Sequence, residues 1–244
     1  MAALAGLHIL NTRPAHQAAE LSAALRAAGA TVSELPLIAI IPLPLSAGDA
    51  RLLLDLDRYD GVFFVSANAA RLGLDAIAGV WPQWPHRLPA YAVGQRTARV
   101  LEAAAITATV PEHADSEGLL ALPALAEVAG RRFLLCRGDE GRALLADTLR
   151  ARGARVDVLP LYRRELPVAA AEQWAALAAS APDVVVLTSP DALRHWQQVA
   201  GAAACRPRWL VVSPRMQALA DAAGARTVQA AGADTASVLA ALVR

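Results

Sequence analysis

The chain repeats itself. In its 244 residues, LHILNTRPAHQAAELSAALRAAGATVSELPLIAI is answered by RFLLCRGDEGRALLADTLRARGARVDVLPLYRR, which pairs Arg13 with Arg137, Gly29 with Gly153, Pro36 with Pro160 and Ile38 with Tyr162. Downstream, YDGVFFVSANAARLGLDAI is answered by PDVVVLTSPDALRHWQQVA, setting Ser66 opposite Ser189. AYAVGQRTARVLEAAAITATV is answered by WLVVSPRMQALADAAGARTVQ, setting Gly94 opposite Ser213, and a last match sets Asp115 opposite Asp234. A duplication of nearly the whole length demands two similar lobes, and the length suits two domains of about 120 residues each.

Within each copy, short β-branched runs such as VFFVS and VVVLTS alternate with helical stretches rich in Ala, Leu and Arg. That alternation predicts βαβ units on parallel sheets, and the content of each copy fits a flavodoxin-like three-layer sandwich. Pro14 and Pro214 stand where helices should begin, and Gly29, Gly153 and Gly224 where they should stop. The two LPL segments, Leu35–Leu37 and Leu159–Leu161, carry a proline that the middle of a sheet tolerates poorly, so they read as linkers and not as core strands. If the chain crosses between lobes there, each lobe mixes pieces of both copies.

Composition removes several chemistries. The 23 basic side chains are all arginine, because the chain has no lysine, which excludes Schiff bases and the P-loop lysine. Arginine suits a bidentate grip on carboxylate or phosphate, although an Ala- and Arg-rich composition also follows from a GC-rich genome. A net charge of +1 without a basic, aromatic-interleaved stripe argues against a nucleic-acid partner. The most apolar run, Leu35–Leu45, is cut by Pro36, Pro42 and Pro44, and the first residues lack a basic n-region. A cytoplasmic protein with no membrane partner is expected. Cys136 and Cys205 stand in unrelated settings, read as buried, reduced thiols, and form no metal motif.

In open parallel sheets ligands bind beyond the carboxyl ends of the strands, against helix N-termini whose free N–H groups attract anions. The residues expected there, opening helices, are Thr12 and Arg13; Ser66, Ala67 and Asn68; Gly94 and Thr97; Arg137, Gly138 and Asp139; Ser189; and Ser213 and Arg215. Singly, such residues are ordinary N-caps. As a set repeated in both copies, they outline a cleft for a small polyanion.

Signatures for dinucleotide, phosphate, zinc and serine-hydrolase chemistry do not occur in the sequence. The five histidines share no spacing and read as solvated or locally bonded. Asp139 and Glu140 are either an acid/base couple or a complement to a helix dipole. Tyr162 breaks the repeat, a phenol followed by Arg163 and Arg164 where the first copy has Ile38. Either it packs its ring and exposes its hydroxyl, or it donates a proton.

These segments, in this order, resemble the uroporphyrinogen-III synthase family along essentially the whole chain. The resemblance rests on NTRPAHQAAELSAALRAAGATVSELPLIAI, FVSANAARLGLDAI, AVGQRTA, ADSEGLLA, LLCRGDEGRALLADTLRARGARVDVLPLYRR and VVLTSPDALRHW. It implies two flavodoxin-like α/β domains joined by a two-stranded linker, the second inserted into the first. Residues 1–36 and 166–244 would form the first domain, 43–158 the second, and 37–42 and 159–165 the linkers. It further implies action on hydroxymethylbilane without metal or organic cofactor, and a monomer is expected because the sequence shows no extra oligomerisation element. Tyr162 matches the family's linker tyrosine, expected to assist loss of the substrate hydroxyl, and Thr97 matches its Gly-x-x-Thr threonine, expected to contact substrate. Ser213-Pro214-Arg215-Met216 departs from the family's Gly-Pro-x-Thr, leaving Arg215 as a candidate carboxylate ligand. The competing reading is a non-catalytic, two-lobed binding or sensor protein for a small anion.

Overall fold

The computed structural model describes residues 2–141 and 143–243, so the outermost expected domain bounds, 1 and 244, lie outside them. The chain divides into two units, the first built from residues 1–39 and 164–244, the second from 40–163.

Unit 1 carries β1 (His8–Asn11), α1 (Ala15–Ala27) and β2 (Thr31–Glu34) from the start of the chain. The chain then forms β3 (Ala39–Pro42), α2 (Ala47–Leu54), β4 (Gly61–Phe64), α3 (Ala67–Ala78), β5 (Ala90–Ala92), α4 (Gln95–Glu102) and β6 (Ala108–Thr109). The second unit continues through α5 (Ser116–Leu120), β7 (Arg132–Gly138), α6 (Leu144–Ala151) and β8 (Arg155–Glu165). Unit 1 is completed by α7 (Ala170–Leu177), β9 (Val184–Val186), α8 (Pro190–Ala200), β10 (Arg208–Val211), α9 (Pro214–Ala222), β11 (Thr227–Gln229) and α10 (Thr235–Leu242).

The unit 1 sheet has the order β11-β10-β9-β1-β2, all parallel. Counted within the unit this is the 2-1-3-4-5 order of flavodoxin-like folds. The unit 2 sheet, β3-β8-β7-β4-β5-β6, repeats it with β7 and β8 as the first two strands, followed by a sixth strand at its edge. The second unit is therefore a circular permutation of the first, which is what insertion within a duplicated chain produces.

The duplication holds at the level of strand register. Leu10 stands opposite Ser33, and their repeat partners Leu134 and Asp157 stand opposite each other. Asn11 faces Val186 as Leu135 faces Phe63, and Trp209 faces Thr227 as Ala90 faces Ala108. Parallel strands covered on both faces read as unbroken apolar runs, and the second sheet shows why. Val62, Phe64, Leu134 and Cys136 bury into one layer, while Phe63, Phe133, Leu135 and Val156 bury into the other. In unit 1, Ile9, Val184, Val186 and Leu210 form one such layer.

Helix punctuation follows the sequence at the stops. Gly29, Gly153 and Gly224 adopt positive φ (97°, 87° and 72°), the conformation a residue with a side chain resists. Pro214 opens α9, and Pro14 sits one residue ahead of α1.

Three expectations are corrected. Leu159–Leu161 is not a linker outside the sheet but lies inside β8, with Leu159 and Leu161 buried. The proline is accommodated because the β7–β8 register slips there, Arg137 facing Pro160 and Gly138 facing Tyr162, and an irregularity of this kind admits a residue without an N–H. Asp139 and Glu140 start no helix, since α6 begins at Leu144, later than its repeat partner α1. Cys136 is buried, its thiol pushed well up by burial, but Cys205 is only half-buried.

Candidate functional site

The registers bring the strand ends of each unit level. In unit 1, Asn11, Val186 and Leu210 align, so Thr12, Ser189 and Ser213 leave the sheet at one edge. In unit 2, Phe64 aligns with Ala92 and Cys136, so Ser66, Gly94 and Gly138 do the same. Where strand order reverses, between β1 and β9 and between β4 and β7, the fold leaves its customary crevice.

At the unit 2 reversal the structure joins three of the candidate residues. Ser66, the N-cap of α3, accepts from the Ala69 N–H at 2.9 Å, and its Oγ lies 2.9 Å from the Tyr162 Oη. The register slip sets Tyr162 opposite Gly138. A Cβ on Gly138 would stand 3.0 Å from two carbons of the phenol ring, tighter than a real side chain accepts without displacement. The Asp139 N–H donates to the Tyr162 carbonyl at 2.9 Å, so backbone and ring are both fixed. Tyr162 is only 2% exposed and belongs to the core layer of Phe64 and Cys136, a correction to the expectation that a packed ring leaves its hydroxyl in solvent.

Ala67 and Asn68 form the first turn of α3 and are half-buried. Gly94 caps α4 without a side chain, in an extended conformation like that of Ser66. A Cβ there would come within 2.9 Å of Ala114, so the bare cap is required by packing, and no capping side chain satisfies the first N–H groups of α4. Thr97 lies in that first turn, buried. Neither α3 nor α4 has an acidic residue in its first turn to offset the positive end of the helix dipole.

Four candidates, Thr12, Arg13, Arg137 and Gly138, neither cap nor begin a helix. Arg137 and Gly138 end β7, and the Arg137 Nη1 donates to the Gly141 carbonyl at 2.8 Å. Thr12 is buried and donates to the Val186 carbonyl, while Asn11 below it donates to Ala18 and Ser22. The polar groups after β1 thus serve their own scaffold. Arg13, the repeat partner of Arg137, likewise donates to a backbone carbonyl, that of Ala233.

Ser189 and Ser213 cap α8 and α9 by accepting from Ala192 and Met216. The α8 start already contains a carboxylate, Asp191, paired with Arg164 at 3.6 Å and Arg194 at 3.1 Å. The start of α9 is free of acid, and Arg215 is exposed on its first turn. Of the helix starts anticipated from sequence, α1, α3, α4 and α9 therefore carry no acid in their first turns. The Asp191 effect was legible in the Pro190-Asp191 pair, an acid in the first turn of a capped helix.

Sequence reading missed a polar cluster at the amino ends of the unit 2 strands. Tyr59 donates to Asp157 at 2.9 Å, the Arg132 guanidinium grips the same carboxylate at 2.8 Å, and it stacks 4.3 Å from the Tyr59 ring centroid. Burial works against the Asp157 carboxylate, but the hydrogen bonds from Tyr59 and Arg132 outweigh it and hold its pKa below the usual range. Burial, with Asp157 beside it, pushes the Tyr59 phenol well up. This cluster lies at the far end of the strands from Ser66 and Tyr162 and clamps β7, β8 and the segment before β4. Among the described residues no group of three or more His, Cys, Asp or Glu gathers as a metal site, and no helix is long and apolar enough to cross a membrane.

Paired flavodoxin-like units, with hydroxyls and helix starts gathered at the carboxyl ends of their strands, define a two-unit α/β protein with parallel sheets. A sequence profile described as "Uroporphyrinogen-III synthase HemD" matches residues 19–240. The chain is 34% identical over 253 residues to the uroporphyrinogen-III synthase of Escherichia coli (strain K12), covering 97% of this chain and 100% of that protein. It is 36% identical over 165 residues to that of Proteus mirabilis, covering 65% and 80%. Among solved structures, a mutant uroporphyrinogen III synthase from the extremely thermophilic bacterium Thermus thermophilus superposes with a TM-score of 0.67 at 18% identity, covering 96% of each chain. The enzyme from Helicobacter pylori 26695 does so at 0.62 and 16%, covering 96% and 97%. This chain belongs to the uroporphyrinogen-III synthase family.

Proposed function

We propose that this chain closes hydroxymethylbilane, a linear tetrapyrrole with acetate and propionate on every ring, to uroporphyrinogen III, and that Tyr162 assists departure of the terminal hydroxyl. The activity is carried by one observation, the match to a synthase from end to end. A non-catalytic binding role is set aside on the same ground.

The reaction loses the terminal hydroxyl as water, closes on the substituted carbon of ring D to a spirocyclic intermediate, and recloses with ring D inverted. There is no net oxidation or reduction, so the balance calls for no redox cofactor. Left alone, the substrate closes to the uninverted isomer, so the protein must favour one geometry over another. Proximity and orientation can contribute about 7 to 11 kcal/mol to such a task, whereas a positioned acid adds roughly a hundredfold to ten-thousandfold. The acid-free starts of α3, α4 and α9, with Thr97 and Arg215, suit the substrate carboxylates. Arg215 would supply charge where its repeat partner Arg96 stands on α4.

Purified protein, fed from a coupled source of hydroxymethylbilane with no added cofactor, should yield isomer III by chromatography of the oxidised products. Isomer I alone would overturn the assignment. A cytoplasmic monomer that binds neither nucleic acid nor membrane completes the reading, checked by fractionation and light scattering.

A further inference from the structure

We propose that unit 2 carries a separate small-molecule site, a cavity at the turn of residues 85–88 that takes an aromatic ring bearing both a carboxylate and an ammonium group. The inference does not rest on the activity proposed above.

The cavity has a volume of about 400 Å³, within the range of small-ligand pockets. Tyr59, which precedes β4, and Leu88, which precedes β5, both line it. It therefore lies at the amino ends of these strands, whereas Ser66 and Gly94 follow their carboxyl ends.

The apolar walls are Trp81, Tyr59, Pro82 and Pro85. The polar atoms of both aromatic rings are committed elsewhere. The Trp81 Nε1–H donates to the Leu53 carbonyl at 2.7 Å, and the Tyr59 hydroxyl donates to Asp157 at 2.9 Å. These rings offer a ligand apolar surface held in one orientation, which suits stacking of a flat ring.

The charged groups at the cavity have the opposite character. Asp57, His86 and Arg87 line it, and among the described residues no hydrogen bond or ion pair engages their side chains. Neighbouring charges do pair, Arg58 with Asp55 at 3.3 Å and Arg132 with Asp157 at 2.8 Å. An unmatched acid and an unmatched base around one apolar cavity complement a zwitterion, its carboxylate toward Arg87 and His86 and its ammonium toward Asp57.

Turn chemistry supports the assignment of Arg87. The Leu88 N–H donates to the Pro85 carbonyl at 3.2 Å, closing a turn with Arg87 in its third place at φ 65°. A positive φ in that place is ordinarily met by glycine or asparagine. Turn formation alone gives no reason for an arginine; a guanidinium at the cavity does.

Trp81 also lines a neighbouring cavity of about 380 Å³, which supplies the contrast. Its walls include the apolar Leu74, Ile77 and Val100, and its charged residues Arg71 and Asp75 face each other at 3.9 Å. That pair leaves no unmatched charge to orient a ligand.

The test is calorimetric titration of the full chain with L-tryptophan, with indole-3-propionate, which lacks the amine, with tryptamine, which lacks the carboxylate, and with L-alanine, which lacks the ring. L-tryptophan should bind, each of the other two indoles should bind about tenfold more weakly for its lost charged contact, and L-alanine should not bind. Arg87→Asn suits the turn and removes the guanidinium, so it should weaken L-tryptophan about tenfold, leave tryptamine unchanged and not lower the melting temperature. Asp57→Asn should weaken L-tryptophan about tenfold and leave indole-3-propionate unchanged. No binding of L-tryptophan up to its solubility limit overturns the site. Equal affinity for all three indoles, or equal losses for L-tryptophan and the truncated probe in each variant, overturns the zwitterion. Turnover of hydroxymethylbilane is not the readout, so failure here is distinct from failure of the proposed activity.

Discussion

The two strand-order reversals share a backbone and differ in their polar atoms. After β1, Asn11 and Thr12 hydrogen-bond to α1 and to the Val186 carbonyl, and the position matching Tyr162 is the apolar Ile38. Within β7, the matching Leu135 and Cys136 are apolar and buried, and beside them the hydroxyls of Ser66 and Tyr162 are in contact with each other. Duplication supplied one scaffold twice, since the matching ladders agree in register, but a phenol in contact with a cap serine occurs in one copy.

The largest test of that contrast exchanges one side chain in each unit. Tyr162→Phe should lower kcat about a hundredfold, the low end for a lost general acid, with melting behaviour close to that of the parent. Ile38→Val should leave turnover unchanged and cost about 1 kcal/mol of stability by denaturant unfolding. Equal losses of turnover would break the contrast.

Next comes the seat of the ring. Gly138→Ala places a methyl 3.0 Å from the phenol, and overpacking of this kind costs about 1 to 3 kcal/mol. Its kcat should fall with the displaced ring, and an unchanged kcat would mean that the seat is not needed.

The paired caps sharpen the comparison further. Ser66→Ala and Ser189→Ala should each lose about 1 kcal/mol with the N-cap. Only Ser66→Ala should slow turnover.

The smallest effect concerns pH. Asp157 holds a lowered pKa in the folded unit, so the stability it contributes is fully present above the unfolded carboxylate value near 3.9 and is lost as pH falls through the lower folded value. Urea midpoints measured from pH 7 downward should show this acid limb, and Asp157→Asn should flatten it. A limb unchanged in the variant would assign acid sensitivity to other carboxylates.

Much of this was legible in order along the chain. The βαβ alternation, the glycine helix stops and the repeat are local signals of periodicity and turn chemistry, and the strand registers extend the repeat alignment in space. Other features were not legible. LPL at Leu159–Leu161 read as a break because proline penalises an average strand, yet a register slip beside Gly138 absorbs it. Asp139 and Glu140 read as a helix start by analogy with the other copy, but α6 begins later. The clamp of Tyr59, Arg132 and Asp157 joins residues far apart in sequence and carries no motif.

The sequence by itself determined a duplicated α/β chain, the glycines at which three of its helices stop, and the position, Tyr162 against Ile38, at which a phenol in one copy replaces an apolar side chain in the other. Only the tertiary structure decided which hydroxyls meet. Hydrogen-bond geometry depends on tenths of an ångström between strands distant in the chain, and here it is set by the register slip that brings Tyr162 over Gly138 and within 2.9 Å of Ser66.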